Sequence, residues 1–351
     1  MNKFNLYFTA AISVALFLNS CSSQPEQKQE VSTENEEAKI DAEIKPRLSA
    51  FAALTAVAEN PDNPITDAKV KLGHALYFDT RLSKEGKISC NSCHNLETFG
   101  VDNLPTSPGD AGKNGDRNSP TVLNAALHTT QFWDSRAKDV EEQAGMPILN
   151  PVEMEIPDET FLVKRLSTVP EYKQLFNEAF PGKGITYENM RKAIAAFERK
   201  LITPSRFDKY LAGDNTALTL DEKKGLNNFI KIGCTTCHNG VTLGGSMMQK
   251  FGVHREYWTL TESKKIDEGR AAVTKQQDDK YMFKVPSLRN IEKTHPYFHD
   301  GSVVDLKKAI QIMAVAQLAY RMSPEEINSV EAFLKSLTGD VPAEYKKAPA
   351  L

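Results

Sequence analysis

Two copies of one pentad constrain this chain more than any other feature. They are Cys90-Asn91-Ser92-Cys93-His94 and Cys234-Thr235-Thr236-Cys237-His238. Cys-x-x-Cys-His is the attachment signature of a c-type haem, in which two thiols bond the vinyl groups and the next histidine ligates the iron. The two copies use every cysteine of the chain except Cys21. A structural zinc site also uses paired Cys-x-x-Cys, but its halves normally lie close together, and here His94 and His238 are 144 residues apart. A thioredoxin-like redox motif needs a βαβ context that is not present. Disulfides would leave both histidines unexplained. Two covalently bound haem c groups are the expectation, with Cys90, Cys93, His94, Cys234, Cys237 and His238 holding them.

The length of 351 residues suits about two domains, and a net charge of −3 gives no argument for nucleic acid. The amino terminus reads as a targeting segment. Lys3 gives a weak positive start, Leu6 to Leu18 is an apolar core, and Leu18-Asn19-Ser20-Cys21 resembles a bacterial lipobox. The alternative is an ordinary secretory signal with Cys21 incidental. Both export the protein, which suits covalent haem. A periplasmic protein anchored to a membrane by lipid on Cys21 is the expectation. Residues 22–45 are rich in Gln, Glu, Ser and Lys and nearly free of aromatics, so they read as a disordered tether.

The remainder reads as helices joined by long, motif-bearing loops. Thr66 is placed to cap a helix over Asp67 to Phe78, and Thr186 to Lys200 carries Met190, Ile194 and Phe197 at helical spacing. Thr219-Leu220-Asp221-Glu222 is a capping box that opens a helix leading to Cys234. Ser323-Pro324-Glu325-Glu326 starts another, whose stripe Ile327, Val330, Phe333, Leu334 and Leu337 reads as core, with Gly339 ending the helix. An internal repeat also stands out. Pro120 to Asn124 and Pro286 to Asn290 match at an offset of 166, which also aligns Phe132-Trp133-Asp134 with Phe298-His299-Asp300. Two haem modules related by duplication are the simplest account. The expected fold is mainly α, with two cytochrome c-like haem domains and long loops. Its parts are a lipoprotein signal over 1–20, a disordered tether over 21–60, and haem domains over 61–210 and 211–345.

The axial ligands decide whether a haem moves electrons or activates a small molecule. The pentads supply His94 and His238 on the proximal sides. Five other histidines exist: His74, His128, His254, His295 and His299. For the second haem, Met247, Met248, Met282 and Met313 are all candidates, and residue types alone do not choose among them.

Longer motifs narrow the choice. Asn118-Ser-Pro-Thr-Val-Leu-Asn124, Gln131-Phe-Trp-Asp-Ser-Arg136, Asn150-Pro-Val-Glu-Met154, Phe283 to Asn290 and Pro296-Tyr-Phe-His-Asp-Gly301 resemble the bacterial dihaem cytochrome c peroxidases, a group that includes the MauG-type enzymes. The resemblance spans roughly residues 60–340, in order. It implies a peroxidatic haem on His94 and an electron-entry haem on His238, with Met313 as the second haem's distal ligand. It also implies Trp133 between the haems, Glu153 and Gln143 as polar groups of the peroxide pocket, and a calcium ion held by Asn118 with the carbonyls of Thr294 and Pro296. His299 matches a motif residue near the second haem and takes no ligand role. The implied substrate is hydrogen peroxide and the implied donor a small cytochrome c or cupredoxin. Relatives of this kind tend to form homodimers when calcium-loaded.

One departure matters. Members that need reductive activation carry a distal histidine in the loop after the first pentad. Here that loop, Thr106 to Gly115, has none, and Asp110 stands in its place. The first haem is therefore expected to be open even when both haems are oxidised. Two other readings remain: a MauG-like oxidase of a protein or organic substrate, where a tyrosine would replace Met313, and a non-enzymatic dihaem electron carrier.

Overall fold

A computed structural model describes residues 26–350, together with Met1 and Lys3. The expected signal core and the cysteine expected to carry a lipid, Cys21, lie outside the described residues. The chain forms two compact units, 1–39 and 40–351. The first holds the start of helix α1 (Glu26–Ile44).

The second unit is mainly helical. It contains the end of α1 and then α2 (Asp67–Tyr77), α3 (Cys90–Cys93), α4 (Val140–Gln143), α5 (Met146–Leu149), α6 (Glu159–Ser167) and α7 (Pro170–Ala179). There follow α8 (Tyr187–Glu198), α9 (Arg206–Leu211), α10 (Leu220–Ile232), α11 (Tyr257–Thr261), α12 (Ala271–Thr274), α13 (Leu306–Leu318) and α14 (Pro324–Lys335). The strands among the described residues are β1 (Met248–Lys250) and β2 (Met282–Lys284), antiparallel with Gln249 opposite Phe283. No helix among the described residues is long and apolar enough to cross a membrane.

Local chemistry explains where the main helices start. The Thr66 hydroxyl accepts from the Lys69 amide at the head of α2, and Thr186 does the same for Asn189 at α8. Reciprocal capping boxes open α10 (Thr219 and Glu222) and α14 (Ser323 and Glu326). Of the apolar stripe of α14, Val330, Phe333 and Leu334 are buried and Ile327 is half-buried, and Val330 and Leu334 also line the large cavity described below, so that face is both core and pocket wall.

Two expectations need correction. The tether expected over 21–60 gives way to packed structure from Ile40. Ile44 and Phe51 are buried in the core, Asp41 pairs with Lys223 at 2.9 Å, and the Gly240 amide bonds the Ala50 carbonyl at 2.8 Å. A sparse stripe, Ile40, Ile44, Leu48 and Phe51, carries this packing, and a polar average composition hides it. Gly339 does not end α14, which stops at Lys335. It is a close-approach residue, since a Cβ there would sit 2.3 Å from the Thr203 carbonyl oxygen.

The same helix contact is built twice. In α2, a Cβ on Gly73 would fall 1.9 Å from the Ala193 carbonyl oxygen and 2.9 Å from Phe197 Cβ of α8. In α10, a Cβ on Gly225 would fall 1.8 Å from the Ser329 carbonyl oxygen and 2.9 Å from Phe333 Cβ of α14. Glycine lets each pair of backbones touch. The repeated loops also match. Asn124 and Asn290 are both left-handed, at φ 60° and 61°, as are Phe132 and Phe298 at 67° and 70°. Short antiparallel bridges follow at Gln131–Ala137 and Tyr297–Val303.

These loops meet at one buried hydroxyl. Asn124 and Asn290 each donate a side-chain N–H to Thr203 Oγ1, at 2.8 and 2.9 Å. In return, Asn124 Oδ1 accepts from the Thr203 amide and Asn290 Oδ1 from the Gly339 amide, both at 3.0 Å. Thr203 and Gly339 hold equivalent places, and only one of them can carry a side chain into the centre. All three polar residues are fully buried. Thr203→Val should orphan two buried donors at about 1–3 kcal/mol each. Urea or thermal midpoints should fall accordingly, whereas Thr203→Ser stays near wild type.

Candidate functional site

Each pentad is wound so that its side chains face one way. The first forms the single turn α3, opened by Ser89, whose amide donates to Ser92 Oγ at 2.9 Å. The second follows α10, which ends at left-handed Gly233, φ 102°. In both, the histidine amide bonds the first cysteine's carbonyl at 2.9 Å. The four cysteines are unpaired and half-buried. Together with His94 and His238 they line one continuous cavity of about 1440 Å³. That exceeds the roughly 300–1,000 Å³ of a single small-molecule pocket, so it has room for more than one bulky group.

Both imidazoles are half-buried, and loss of hydration lowers the pKa of each. Burial lowers the pKa of His238, with the Leu243 and Pro286 carbonyls opposing. Its Nδ1 bonds the Leu243 carbonyl at 3.1 Å, which leaves Nε2 free to ligate. Burial lowers His94 too, opposed by Asp102 and by the Pro120 and Gly100 carbonyls. Those carbonyls act on the ring, yet Nδ1 is buried with no hydrogen-bond partner. Pro120 and Pro286 open the repeated Pro-x-x-x-Asn elements, so the duplication places the same carbonyl beside each ring. Unpaired thiols, neutral imidazoles and a wide cavity with many apolar walls fit covalently held haem. Burial raises the thiol pKa of Cys93 to about 11 and of Cys234 to about 12.

The remaining expected residues distribute around the same cavity. Glu153, Gln143, Trp133 and Met313 all line it. Burial raises the Glu153 pKa above its ordinary 4.5, and Arg136 opposes. No ion pair among the described residues engages that carboxylate. Trp133 is fixed by its Nε1–H donating to the Asn118 carbonyl at 2.9 Å, and it stands edge-on to His299. Met313 lies on α13 and packs against the hydrophobic cluster that contains Phe333 and Leu337. Of the other candidate methionines, Met248 and Met282 sit on the antiparallel β1–β2 pair, where Met248 Sδ accepts from Ser135 at 2.8 Å. His74 is stacked on Phe197 and bonds the Lys347 carbonyl at 2.9 Å.

Asn118, Thr294 and Pro296 also line the cavity. Asn118 Nδ2 donates to the Leu104 carbonyl at 2.8 Å, which turns the side chain inward from a fixed loop. Among the described residues no group of three or more His, Cys, Asp or Glu side chains converges to hold a metal. A carbonyl-and-amide set of the expected kind is not such a group.

The loop after the first pentad is built around Asp110. Its two oxygens accept from Ser83 Oγ at 2.9 Å and from the amides of Glu85 and Lys87 at 2.5 and 3.2 Å. Its own amide donates to the Glu153 carbonyl at 2.7 Å. Gly109 beside it could not bear a Cβ, which would lie 1.9 Å from the Val152 carbonyl oxygen. Asp110 is thus a brace that ties the loop to the Glu153 segment, with its carboxylate spent on backbone donors.

Two buried groups escaped the sequence reading. Glu198, at the end of α8, lines the cavity at 5% exposure. Its place one turn after Ile194, on the apolar face of the helix, was the available signal. Lys284 Nζ lies 3.4 Å from His128 Nδ1 and donates to the Thr130 carbonyl at 2.9 Å. Burial lowers Lys284 to about 8 and pushes His128 well below its ordinary value. Only the tertiary fold brings those two together.

Comparison with known proteins gives consistent matches. Residues 67–216 match the family model described as di-haem cytochrome c peroxidase. The chain is 46% identical over 298 residues to cytochrome c551 peroxidase of Pseudomonas aeruginosa, covering 84% of this chain and 86% of that protein. It is 48% identical over 273 residues to cytochrome c551 peroxidase of Nitrosomonas europaea, covering 78% and 80%. Among solved structures, a MauG-like protein associated with microbial copper homeostasis superposes with a TM-score of 0.75 at 28% identity, covering 84% of this chain and 97% of that one.

Asp110→Ala should release the Glu85 and Lys87 amides and cost about 1–3 kcal/mol, seen as a lower thermal midpoint. The optical spectrum of the haem on His94 should be unchanged, because the carboxylate is turned to Ser83, Glu85 and Lys87.

Proposed function

The chain belongs to the dihaem cytochrome c peroxidase family, and on that premise we propose that it reduces hydrogen peroxide to water with single electrons from a small cytochrome c or cupredoxin. The observation that carries this reading is the shared cavity, which has both pentads, Trp133, Glu153, Gln143 and Met313 in its wall. In this reading residues 61–210 form a peroxidatic module around His94 and residues 211–345 an electron-entry module around His238. Export, a lipid on Cys21, a calcium ion on Asn118, Thr294 and Pro296, and a calcium-linked homodimer complete it.

Haem held by His94, and haem held by His238 with Met313, would supply the redox chemistry, the first toward peroxide and the second receiving electrons, since a His/Met pair raises a haem's potential. The protein does the rest. Glu153 takes the proton of the near peroxide oxygen and delivers it to the far one, a task suited to a carboxylate that burial has made more basic. Gln143, at the end of α4, offers an amide to orient the bound oxygen. Trp133 is held rigid by Asn118, so the polar and aromatic groups between the modules need no rearrangement when an electron passes. The Asp110 brace keeps the loop seated on the Glu153 segment and leaves no side chain of its own to close the first site.

Three outcomes test this. Fully oxidised enzyme mixed with peroxide and reduced donor should turn over without a lag, and its paramagnetic resonance spectrum should contain a high-spin component. A lag removed by prior reduction would mean that another residue closes the first iron. Glu153→Gln should lower kcat/KM by about 10²–10⁴-fold while both haems remain bound. Activity needs the ionised carboxylate, so it should be lost as pH falls through the Glu153 pKa, above 4.5. Arg136 opposes that rise, so Arg136→Gln should move the acidic limb of the pH–kcat/KM profile to higher pH.

A further inference from the structure

We propose that Glu198 binds a proton when the haem on His94 gains an electron, and gives it up when that electron leaves. The inference rests on the reading of His94 as the peroxidatic site.

The geometry of one side chain carries it. Glu198 is 5% exposed and lines the cavity one turn after Ile194. No hydrogen bond or ion pair among the described residues reaches its carboxylate. The cation next to it in sequence is committed elsewhere: Arg199 Nε and Nη2 hold Glu141 at 3.0 and 2.7 Å, and Nη1 donates to the Ala58 carbonyl at 3.1 Å. The Tyr77 hydroxyl of α2 is likewise spent on the His94 carbonyl at 2.5 Å. The titratable and charged groups around Glu198 are Tyr77 from α2, Cys90 from α3, Glu141 from α4 and its neighbour Arg199. Burial is the largest influence on its pKa, Glu141 adds to it, Arg199 opposes, and the result is about 8. A buried carboxylate with no partner is costly to ionise. It becomes costlier when an electron arrives at the porphyrin attached to Cys90.

The duplication shows that the fold does not require a carboxylate there. Gly73 and Phe197 meet as Gly225 and Phe333 do, so Glu198 corresponds to Leu334 and Tyr77 to Phe229. Leu334 is buried and lines the cavity in the same way. The electron-entry module therefore has apolar residues at both places, and the peroxidatic module has a carboxyl and a hydroxyl.

The step balances in charge. One electron passes from the second haem to the ferric first haem. One proton from solvent adds to a carboxylate oxygen of Glu198, and the local charge is unchanged. Reoxidation by peroxide, which takes this electron together with a second one delivered by the donor through the haem on His238, reverses both. The released proton is one of the two that peroxide needs, with two electrons, to form two waters.

Redox titrations of the haem-loaded protein test this, with each haem followed by its own optical band. In wild type the first haem's potential should fall as pH rises from neutral into the mildly alkaline range. Full coupling shifts its redox equilibrium tenfold per pH unit, about 59 mV for one electron. The second haem should stay flat. Glu198→Gln and Glu198→Leu should each flatten the first haem's response, and the Leu variant copies a residue the equivalent site already accommodates. A flat wild-type response, or a slope retained in a variant, overturns the proposal. If neither variant loads haem, proton uptake on reducing wild type, measured with a pH indicator, decides, and no uptake overturns it. Failure of the peroxidatic reading would look different: wild type without peroxide turnover, or with a single redox transition, whatever its slope.

Discussion

The Thr203 hydroxyl, accepting one N–H from Asn124 and one from Asn290, is the interaction on which this architecture turns. Each asparagine closes a Pro-x-x-x-Asn element, and the proline of each element presents its carbonyl to a proximal imidazole. One buried oxygen thus sets the position of both histidine sites relative to each other. In a dry interior such a network is strong when complete and costly when broken. Gly339 is the geometric consequence: it holds the place equivalent to Thr203, and the centre has room for one side chain only.

Around that centre the chain builds the same scaffold twice and then departs from it. The glycine-mediated helix contact, the left-handed Asn and Phe, and the short bridge after the repeat recur almost unchanged. Chemistry enters where the copies differ. Trp133 stands where the second copy has His299, and the two rings meet edge-on. Tyr77 and Glu198 stand where the second copy has Phe229 and Leu334. The loop after the first pentad is braced by Asp110, so its backbone rather than a histidine is fixed near Glu153. Duplicated packing supplies rigidity, and local substitution supplies two unlike haem environments.

Burial does much of the electrostatic work. It lowers the pKa of both pentad imidazoles, raises Glu153, and raises Glu198 to about 8, where the Glu141 charge adds to it. The same carboxylate chemistry is therefore tuned by where nearby arginines point. Arg136 restrains Glu153, while Arg199 restrains Glu198 only weakly because its hydrogen bonds go to Glu141 and Ala58.

Much of this was legible in the chain itself, and the reason is range. A pentad is one turn long, a capping box spans four residues, and a repeated motif announces itself by spacing, so the two pentads, the starts of α2, α8, α10 and α14, and the duplication could be read directly. The resemblance to a family then named Glu153, Gln143, Trp133 and Met313, which the fold gathers into one cavity wall. What sequence could not decide depends on contacts between distant residues. The stripe from Ile40 to Phe51 looked like tether because its partners lie beyond residue 200. Gly339 looked like a helix stop because Thr203 is 136 residues away. Asp110 stands in sequence only as the residue in a histidine's place, and the fold shows Ser83, Glu85 and Lys87 claiming its oxygens, while nothing local marks Glu198 as the buried carboxylate that tertiary packing makes it. Local spacing dictated which groups the protein carries; only three-dimensional packing determined which of them face the cavity and in what state of charge.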